Sequence, residues 1–180
     1  MRQDNPQVLA DLISALGRTG VDPKLDLGEE LFLLVSRLTP IVNVDLLIKD
    51  STNRTLLVWR EDKYYRAGWH VPGGIVRFKE RFTDRIKVVA HGELGVEVRC
   101  DEPALAVHEI IDPFRSERGH FISLLYRCTV LGEPDHQREF VSGQPIAGQW
   151  KWHTHCPDNL IKVHEIYRPY LRHRQEIGEG

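Results

Sequence analysis

Two adjacent glycines, Gly73 and Gly74, limit what this 180-residue chain can fold into more than any other feature of its sequence. They precede a stretch in which Phe82, Ile86 and Val89 recur at the spacing of one helix face. Because glycine has no side chain, the backbone at this pair can approach a bulky ligand closely. The helix that follows ends in Gly-Glu-Leu-Gly and holds a carboxylate at a fixed distance from the pair. This arrangement suits a diphosphate that is bridged by a cation.

The oxygen atoms around the glycine pair favour a hard cation. Mg²⁺ takes oxygen ligands and keeps several waters, so a carboxylate, a backbone carbonyl and substrate phosphates can complete its coordination. We expect the Glu93 carboxylate and the Gly73 carbonyl to hold Mg²⁺, with Mn²⁺ as the alternative, and Glu80 to lie near the ion. The competing interpretation of Glu93 is a solvated side chain, although the end of a helix favours cations over carboxylates.

The segment from Gly74 to Val96 carries a recognisable motif. Gly74, Glu80, Glu93, Gly95 and Val96 fall in register on the pattern G-x5-E-x7-R-E-U-x-E-E-x-G-U, where U is a bulky aliphatic residue. On these residues the chain resembles the Nudix hydrolases. The resemblance implies a Nudix-like α/β/α sandwich around a mixed β-sheet, a divalent metal site and a substrate that contains a nucleoside diphosphate.

The match to the motif is partial. Where the motif has Arg-Glu the chain has Val88-Val89, and where it has the first of two adjacent glutamates the chain has Gly92. Two metal carboxylates are therefore missing, and so is the arginine that pairs with the first glutamate of the motif.

This loss is similar to that of one branch of the family, the GDP-mannose mannosyl hydrolases, which keep only the last glutamate for a single Mg²⁺. The runs TPIVNVDLLIKD, WHVPGG and VHEIYRPYL also look like that branch, and the likeness spans roughly residues 29 to 172. By this resemblance Asp45 and Arg60 serve the nucleotide sugar, and Gly74 approaches it. Trp69 either stacks on a nucleobase or fills the core.

The general base is where the chain departs from the branch. A Gln-His pair supplies a metal ligand and the base in those proteins, whereas the aligned residues here are Ile146 and Ala147. His108 matches a histidine on the substrate side of the branch, and His153 lies at the end of a predicted strand. We expect one of these two histidines to act as the base.

These observations predict Mg²⁺-dependent hydrolysis of a nucleoside diphosphate sugar such as GDP-mannose, with release of the sugar. One alternative is a non-catalytic module that binds a nucleotide sugar, since such a protein needs no base. The other alternative is a Nudix pyrophosphatase, which attacks phosphorus instead of carbon. The resemblance also implies a homodimer to which helices at the N-terminus contribute.

The order of predicted elements indicates an α+β protein. Two helices are expected in residues 1–38, as an extension that precedes a Nudix-like domain over residues 39–180. Strands are predicted from Ile41 and from Thr55, paired as a hairpin, and after the central helix near residues 105–111, 121–130 and 148–152. A last helix is expected over residues 159–175, interrupted or restarted near Pro169.

Composition excludes several classes of function. With 24 basic and 26 acidic residues the formal charge is −2, which favours neither nucleic acid nor anionic lipid as a partner. No apolar run approaches the roughly 20 residues of a membrane helix. The start, MRQDNPQV, shows no signal peptide, so a cytoplasmic location is expected. The three cysteines form no C-x-x-C pair, which predicts buried thiols and no disulfide.

Overall fold

The computed structural model describes residues 5–25 and 27–171. Two helices come first, α1 (Pro6–Gly17) and α2 (Glu29–Leu38), at the positions that the sequence predicts. Asn5 caps α1, since its side chain accepts hydrogen bonds from the backbone N–H groups of the first turn. Helix α2 begins with two glutamates, which the positive end of the helix dipole stabilises.

The rest of the described chain contains eight strands, one long helix, one 3-10 turn and a short helical segment near its end. The strands are β1 (Ile41–Ile48), β2 (Thr55–Arg60), β3 (Gly68–His70), β4 (Gly73–Ile75), β5 (Val98–Cys100), β6 (Ala106–Ile111), β7 (His120–Val130) and β8 (Trp150–His153). Helix α3 (Phe82–Leu94) follows β4, and one 3-10 turn lies at His136–Arg138. Near the end, a 3-10 helix at Lys162–Tyr167 leads into the single turn α4 (Arg168–Leu171).

The predicted last helix is only partly seen. Within the described residues it is a 3-10 helix followed by α4, and its remainder lies outside them. The restart near Pro169 is confirmed, because a proline fits the first turn of a helix, where its missing N–H has no partner to lose.

The strands form two sheets. In the larger sheet the order is β4-β1-β7-β5, with β6 also on β7; β1 and β7 are parallel and the other pairs are antiparallel. The smaller sheet has the order β3-β2-β8. The predicted hairpin of β1 and β2 is therefore wrong, since the two strands belong to different sheets and one isolated bridge joins Lys49, which follows β1, to Thr55. Strand β7 pairs with β1 over the whole length of β1, and β4 pairs with residues 43–45 on the other edge.

Strands β1 and β2 are buried on both faces. On one face Val44, Leu46 and Val58 pack in a core with α3, and on the other Leu47 and Leu57 pack in a second core with the C-terminal helical segment. Because side chains alternate along a strand, a nearly continuous apolar run supplies both cores. The predicted α+β sandwich, with helices on both faces of a mixed sheet, is confirmed.

Helix α1 contributes to neither core. None of its residues is buried, and its apolar side chains are 43% to 62% exposed. These side chains are Val8, Leu9, Leu12, Ile13 and Leu16. Over residues 5–25 and 27–171, no helix combines the length and the apolar character that crossing a membrane requires.

The absence of a disulfide is a prediction that the structure corrects. Cys100 on β5 lies directly opposite Cys128 on β7, with their Cα atoms 4.0 Å apart, and the two residues form a disulfide. Their separation of 28 residues gives no local signal, because only the antiparallel pairing of β5 with β7 brings them together. Cys156 is outside this bond.

Thiol counting tests the bond. Without reductant, the denatured protein should show one reactive thiol, and after reduction it should show three. Reduction should also lower the free energy of unfolding, measured with urea, by about 3–4 kcal/mol, because the bond closes a loop of this length in the unfolded chain. The Cys156→Ser variant is the control and should lose the same stability on reduction. Three reactive thiols before reduction would contradict the structure.

Candidate active site

The glycine pair is required by steric contact with the rest of the site. Gly73 lies opposite Asp45 of β1, and a Cβ atom at Gly73 would lie 2.0 Å from Asp45 Oδ1. A Cβ atom at Gly74 would lie 2.6 Å from Cγ2 of Val89 on α3. Neither position can therefore hold a side chain. Gly73 leaves space for the carboxylate of Asp45, and Gly74 lets helix α3 pack closely against β4.

Glu93 is held against this pair, as the sequence predicts. The backbone N–H of Gly73 donates to Glu93 Oε1 at 3.1 Å, and Glu93 Oε2 lies 3.2 Å from His70 Nε2. Glu93 belongs to the last turn of α3, which ends because Gly95 adopts a left-handed conformation with φ of 66°. The side chain of Glu93 is 25% exposed, so it is accessible at the cavity surface.

His70 is a site residue that sequence reasoning missed. Its neighbours Trp69 and Val71 point into the second core, and strand alternation turns His70 to the opposite face, where Glu93 lies. His70 Nδ1 lies 2.8 Å from the Val58 carbonyl oxygen, which can only accept, so Nδ1 carries the hydrogen. In the neutral ring, Nε2 then directs a lone pair at Glu93. The alternation of apolar Trp69, polar His70 and apolar Val71 is the sequence signal that could have identified this residue.

The arrangement of His70 and Glu93 fits a divalent cation. Two lone pairs that face each other at 3.2 Å attract only when they share a proton or a cation. Across the described ranges no group of three or more His, Cys, Asp and Glu side chains converges on one point. The protein would therefore supply few ligands and leave positions for water and phosphate oxygens, which is how Mg²⁺ and similar ions are often bound. The Gly73 carbonyl stays the predicted additional donor.

Asp45 is a buried carboxylate in the same cluster, with 2% of its surface exposed. Its Oδ2 accepts hydrogen bonds from Asn43 Nδ2 at 2.8 Å, from the Tyr167 hydroxyl at 2.5 Å and from the Ser123 hydroxyl. Burial raises the pKa of Asp45 to about 6, against the opposing effects of these donors and of His70. Asp45 can therefore bind or release a proton near neutral pH.

His164 is a second histidine that sequence reasoning did not assign. Its Nδ1 accepts a hydrogen bond from the backbone N–H of Val71 at 3.0 Å, so the hydrogen of the neutral ring is on Nε2. Burial holds the pKa of His164 well below its usual range, and the electrostatic effects of the neighbouring His70 and Arg60 side chains act in the same direction. His164 is thus a neutral hydrogen-bond donor in the wall of the site.

Two cavities meet at the glycine pair. The first, of about 250 Å³, is lined by Asp45 among others, and the second, of about 360 Å³, is lined by Glu93. Arg60, His70 and Gly73 line both. The predicted residues Asp45, Arg60, Gly73, Gly74 and Glu93 are therefore brought together, with Gly74 on the first cavity.

Arginine side chains give the first cavity a positive wall. The Arg60 guanidinium lies 5.0 Å from the ring centre of Tyr65, and its Nε donates to Asp62. Arg118 also lines this cavity, with its guanidinium 4.4 Å from the ring centre of Tyr64. Its Nε is buried without a hydrogen-bond partner among the residues that the structure describes. Guanidinium groups placed in this way suit the oxygens of a phosphate.

The predicted base residues and the predicted stacking residue lie elsewhere. His108 packs edge-on against Tyr167, with ring centres 5.5 Å apart, and His153 packs against Trp69 at 4.6 Å. Burial lowers the pKa of His153 to about 4, so its ring is neutral. Trp69 is 5% exposed and belongs to the second core. None of the three lines the two cavities, so their placement does not favour the predicted roles.

The loop that carries the base in the resembled branch does reach the site. Ala147 and Gly148 line the second cavity, beside Glu93. The alignment of this loop is consistent with its placement, but its two lining residues have no side chain that could accept a proton.

Glu80 also lies outside both linings, so its predicted place beside the ion is not supported. Its Oε2 accepts hydrogen bonds from the backbone N–H of Arg77 and from Nε of Arg85, both at 2.8 Å. The arginine expected at position 88 is thus replaced by Arg85, about one helical turn earlier. Glu80 fixes the start of α3.

Alanine substitution tests the steric role of Gly73. Gly73→Ala should destabilise the fold by about 1–3 kcal/mol in urea unfolding, because the methyl group would overlap Asp45 and force the paired strands apart. The matched control is Gly92→Ala on α3, where nothing lies within 4 Å of the new Cβ atom. That variant should gain up to about 1 kcal/mol, since alanine favours helix. Equal effects in the two variants would contradict this packing.

The raised pKa of Asp45 predicts a pH-dependent difference between wild type and Asp45→Asn. Its ordinary pKa of 3.8 rises to about 6 on folding, so its contribution to stability is complete below 3.8 and is lost as the pH rises through 6. Between pH 4 and pH 7.5, the free energy of unfolding of the variant should therefore rise relative to wild type by about 2–3 kcal/mol. Urea unfolding across this range measures the change.

Asp101→Asn is the control for that series, because residue 101 is exposed and outside the site. It should show no comparable change with pH. A difference between Asp45→Asn and wild type that stays constant from pH 4 to pH 7.5 would contradict the raised pKa.

Comparison with known proteins gives a short sequence match. No family model matches the chain. The low-salt glycan biosynthesis protein Agl8 of Haloferax volcanii is 46% identical over 62 residues, which are 34% of this chain and 39% of that protein. The match therefore spans about two fifths of the length of this curated relative.

Solved structures show a wider similarity. A MutT NUDIX hydrolase from Burkholderia pseudomallei superposes with a TM-score of 0.57 and 22% identity, over 73% of this chain and 97% of that one. A NUDIX hydrolase from Nitrosomonas europaea gives a TM-score of 0.56 and 20% identity, over 77% and 73% of the two chains. At these identities the similarity establishes architecture. The chain has the Nudix fold.

Proposed function

We propose that the protein is a divalent-cation-dependent hydrolase of a nucleoside diphosphate sugar, GDP-mannose or a relative, that releases the sugar from the nucleoside diphosphate. The observation that carries this proposal is the position of Glu93. Its carboxylate, held by the Gly73 N–H, lines the second cavity beside Gly73 and His70, which line both cavities.

The charges around the junction match a diphosphate. Arg60 lines both cavities, Arg118 the first and Arg138 the second. A diphosphate bound across the junction would meet a guanidinium on each side, and Glu93 together with the Gly73 carbonyl would hold the cation. The cation, when bound, supplies stabilisation of the negative charge that develops on the departing diphosphate.

The proposal that the substrate contains a sugar is supported by sequence similarity and not by the geometry of the site. The fold hosts many activities and does not fix one. The short match is to a protein named for glycan biosynthesis, a process that uses activated sugars, and the motif resembles the GDP-mannose branch of the family. From the resemblance alone we also propose that the protein forms a homodimer.

Asp45 is the residue that we assign to the attacking water. Among the groups lining the first cavity, His164 already carries a hydrogen on Nε2, and His70 directs its Nε2 at Glu93. Asp45 has a carboxylate whose pKa, raised to about 6 by burial, lets it accept a proton at neutral pH. Water then attacks the anomeric carbon, the carbon–oxygen bond breaks, and the nucleoside diphosphate leaves with the electron pair.

Product analysis tests the function. Protein incubated with GDP-mannose, a divalent cation and ¹⁸O-labelled water should give GDP and mannose, with the label in mannose. GMP and mannose 1-phosphate would instead show attack at phosphorus, as in a pyrophosphatase. GDP-mannose bound by folded, metal-loaded protein without any product would reject hydrolysis and indicate the non-catalytic module.

Three variants locate the chemistry within the same assay. Glu93→Gln should remove most turnover, and Glu80→Gln should remove much less, because Glu80 is paired with Arg85 outside the cavities. Asp45→Asn should lower the rate by about 10²- to 10⁴-fold, the usual contribution of a general base. Equal activity of the two glutamate variants would reject the assignment of Glu93.

A further inference from the structure

His70 and Glu93 have the supporting contacts of a pair of metal ligands. The ring of His70 is fixed by donation from Nδ1 to the Val58 carbonyl, at 2.8 Å. The carboxylate of Glu93 is fixed by the Gly73 N–H, which binds Oε1 and leaves Oε2 directed at His70. Metal-binding histidines donate their second N–H to a carbonyl or carboxylate in this way, and ligating carboxylates are hydrogen-bonded in turn.

The surroundings leave room for the other ligands of an ion. The side chain of His70 is only 9% exposed, yet it lines both cavities, as does Gly73. Water and phosphate oxygens can therefore reach His70 from both cavities and Glu93 from the second. A merely structural histidine would need neither this access nor a second partner, because its Nδ1 hydrogen bond already holds the ring.

We propose that His70 is a second protein ligand of the cation at Glu93, so that the centre takes a first-row transition-metal ion such as Mn²⁺ in preference to Mg²⁺. The proposal rests on the proposed function only in placing a cation at Glu93. Mg²⁺ binds oxygen ligands in near-ideal octahedral geometry, whereas imidazole nitrogen suits transition-metal ions. The sequence, in which the expected metal residues Gly73, Glu80 and Glu93 offer oxygen atoms alone, predicts Mg²⁺ first.

Metal binding measured without substrate tests the preference for Mn²⁺ over Mg²⁺. Mn²⁺ bound to the wild-type protein is measured from the loss of the free-ion electron paramagnetic resonance signal, and Mg²⁺ by competition. We expect Mn²⁺ to bind at least about tenfold more tightly than Mg²⁺. Loss of a hydrogen-bond partner of a metal ligand already changes metal affinity by about tenfold or more, so a direct nitrogen ligand should contribute at least as much. Spin-echo modulation of the bound Mn²⁺ should show a directly coordinated ¹⁴N nucleus.

The His70→Phe variant distinguishes a coordinating His70 from a protonated one by the change in Mn²⁺ affinity. If His70 coordinates the ion, the variant should lose the ¹⁴N signal and at least about tenfold of its Mn²⁺ affinity, with a smaller loss for Mg²⁺. If His70 is instead protonated and paired with Glu93, removing its charge should leave Mn²⁺ affinity unchanged or raise it. That result, in a folded variant, would overturn the proposal. A wild-type spectrum without ¹⁴N would also overturn it, and this measurement needs no variant.

His136→Gln is the matched control. This histidine is exposed, lies between Glu133 and Glu139 and lines neither cavity, so the variant should keep the affinity and the ¹⁴N signal. Loss of the signal there would place the ion on the surface and overturn the proposal.

Glu93→Gln separates this inference from the proposed function. Mn²⁺ binding that needs Glu93 but not His70 would reject the nitrogen ligand and leave the hydrolase intact. Absence of any cation binding by the wild type, with GDP-mannose present as well, would overturn both.

Discussion

The backbone at Gly73 passes between two carboxylates, and the site depends on that passage. On one side the absence of a side chain admits Asp45 Oδ1, and on the other the N–H of Gly73 holds Glu93. Asp45 comes from β1 in the centre of the sheet, and Glu93 from the end of α3. The short strand β4 therefore joins the sheet to the helix, and one glycine sets the positions of both acidic groups.

Much of the fold could be predicted because its elements carry their own periodicity. Helices α1, α2 and α3 have apolar spacing and clear ends, and the strands are rich in aliphatic residues. Pairing could not be predicted in the same way. The hairpin of β1 and β2 and the reduced state of Cys100 and Cys128 are both wrong, since each depends on which strand occupies which edge of the sheet. Local sequence contains no information on that choice.

The histidines show the same limit within the site. His70 and His164 line the cavities, whereas His108 and His153, which the sequence singled out, pack against aromatic rings of the interior. One residue along a strand decides whether a side chain meets solvent or core. Glu93 was found because the motif fixes its distance from the glycine pair, and a histidine outside any motif has no such reference.

The pair of Glu80 and Arg85 shows that the arginine of the motif can be absent from position 88 while the ion pair it would form with the first glutamate is kept. An arginine can move by about one turn along a helix and still place its guanidinium on the same carboxylate, because residues three or four apart share a face. A sequence motif that is compared one position at a time counts such a displaced arginine as two mismatches, one at the old position and one at the new. A chain of this fold with an incomplete motif can thus keep the ion pair at the start of the helix. A search for that side-chain contact would identify such chains.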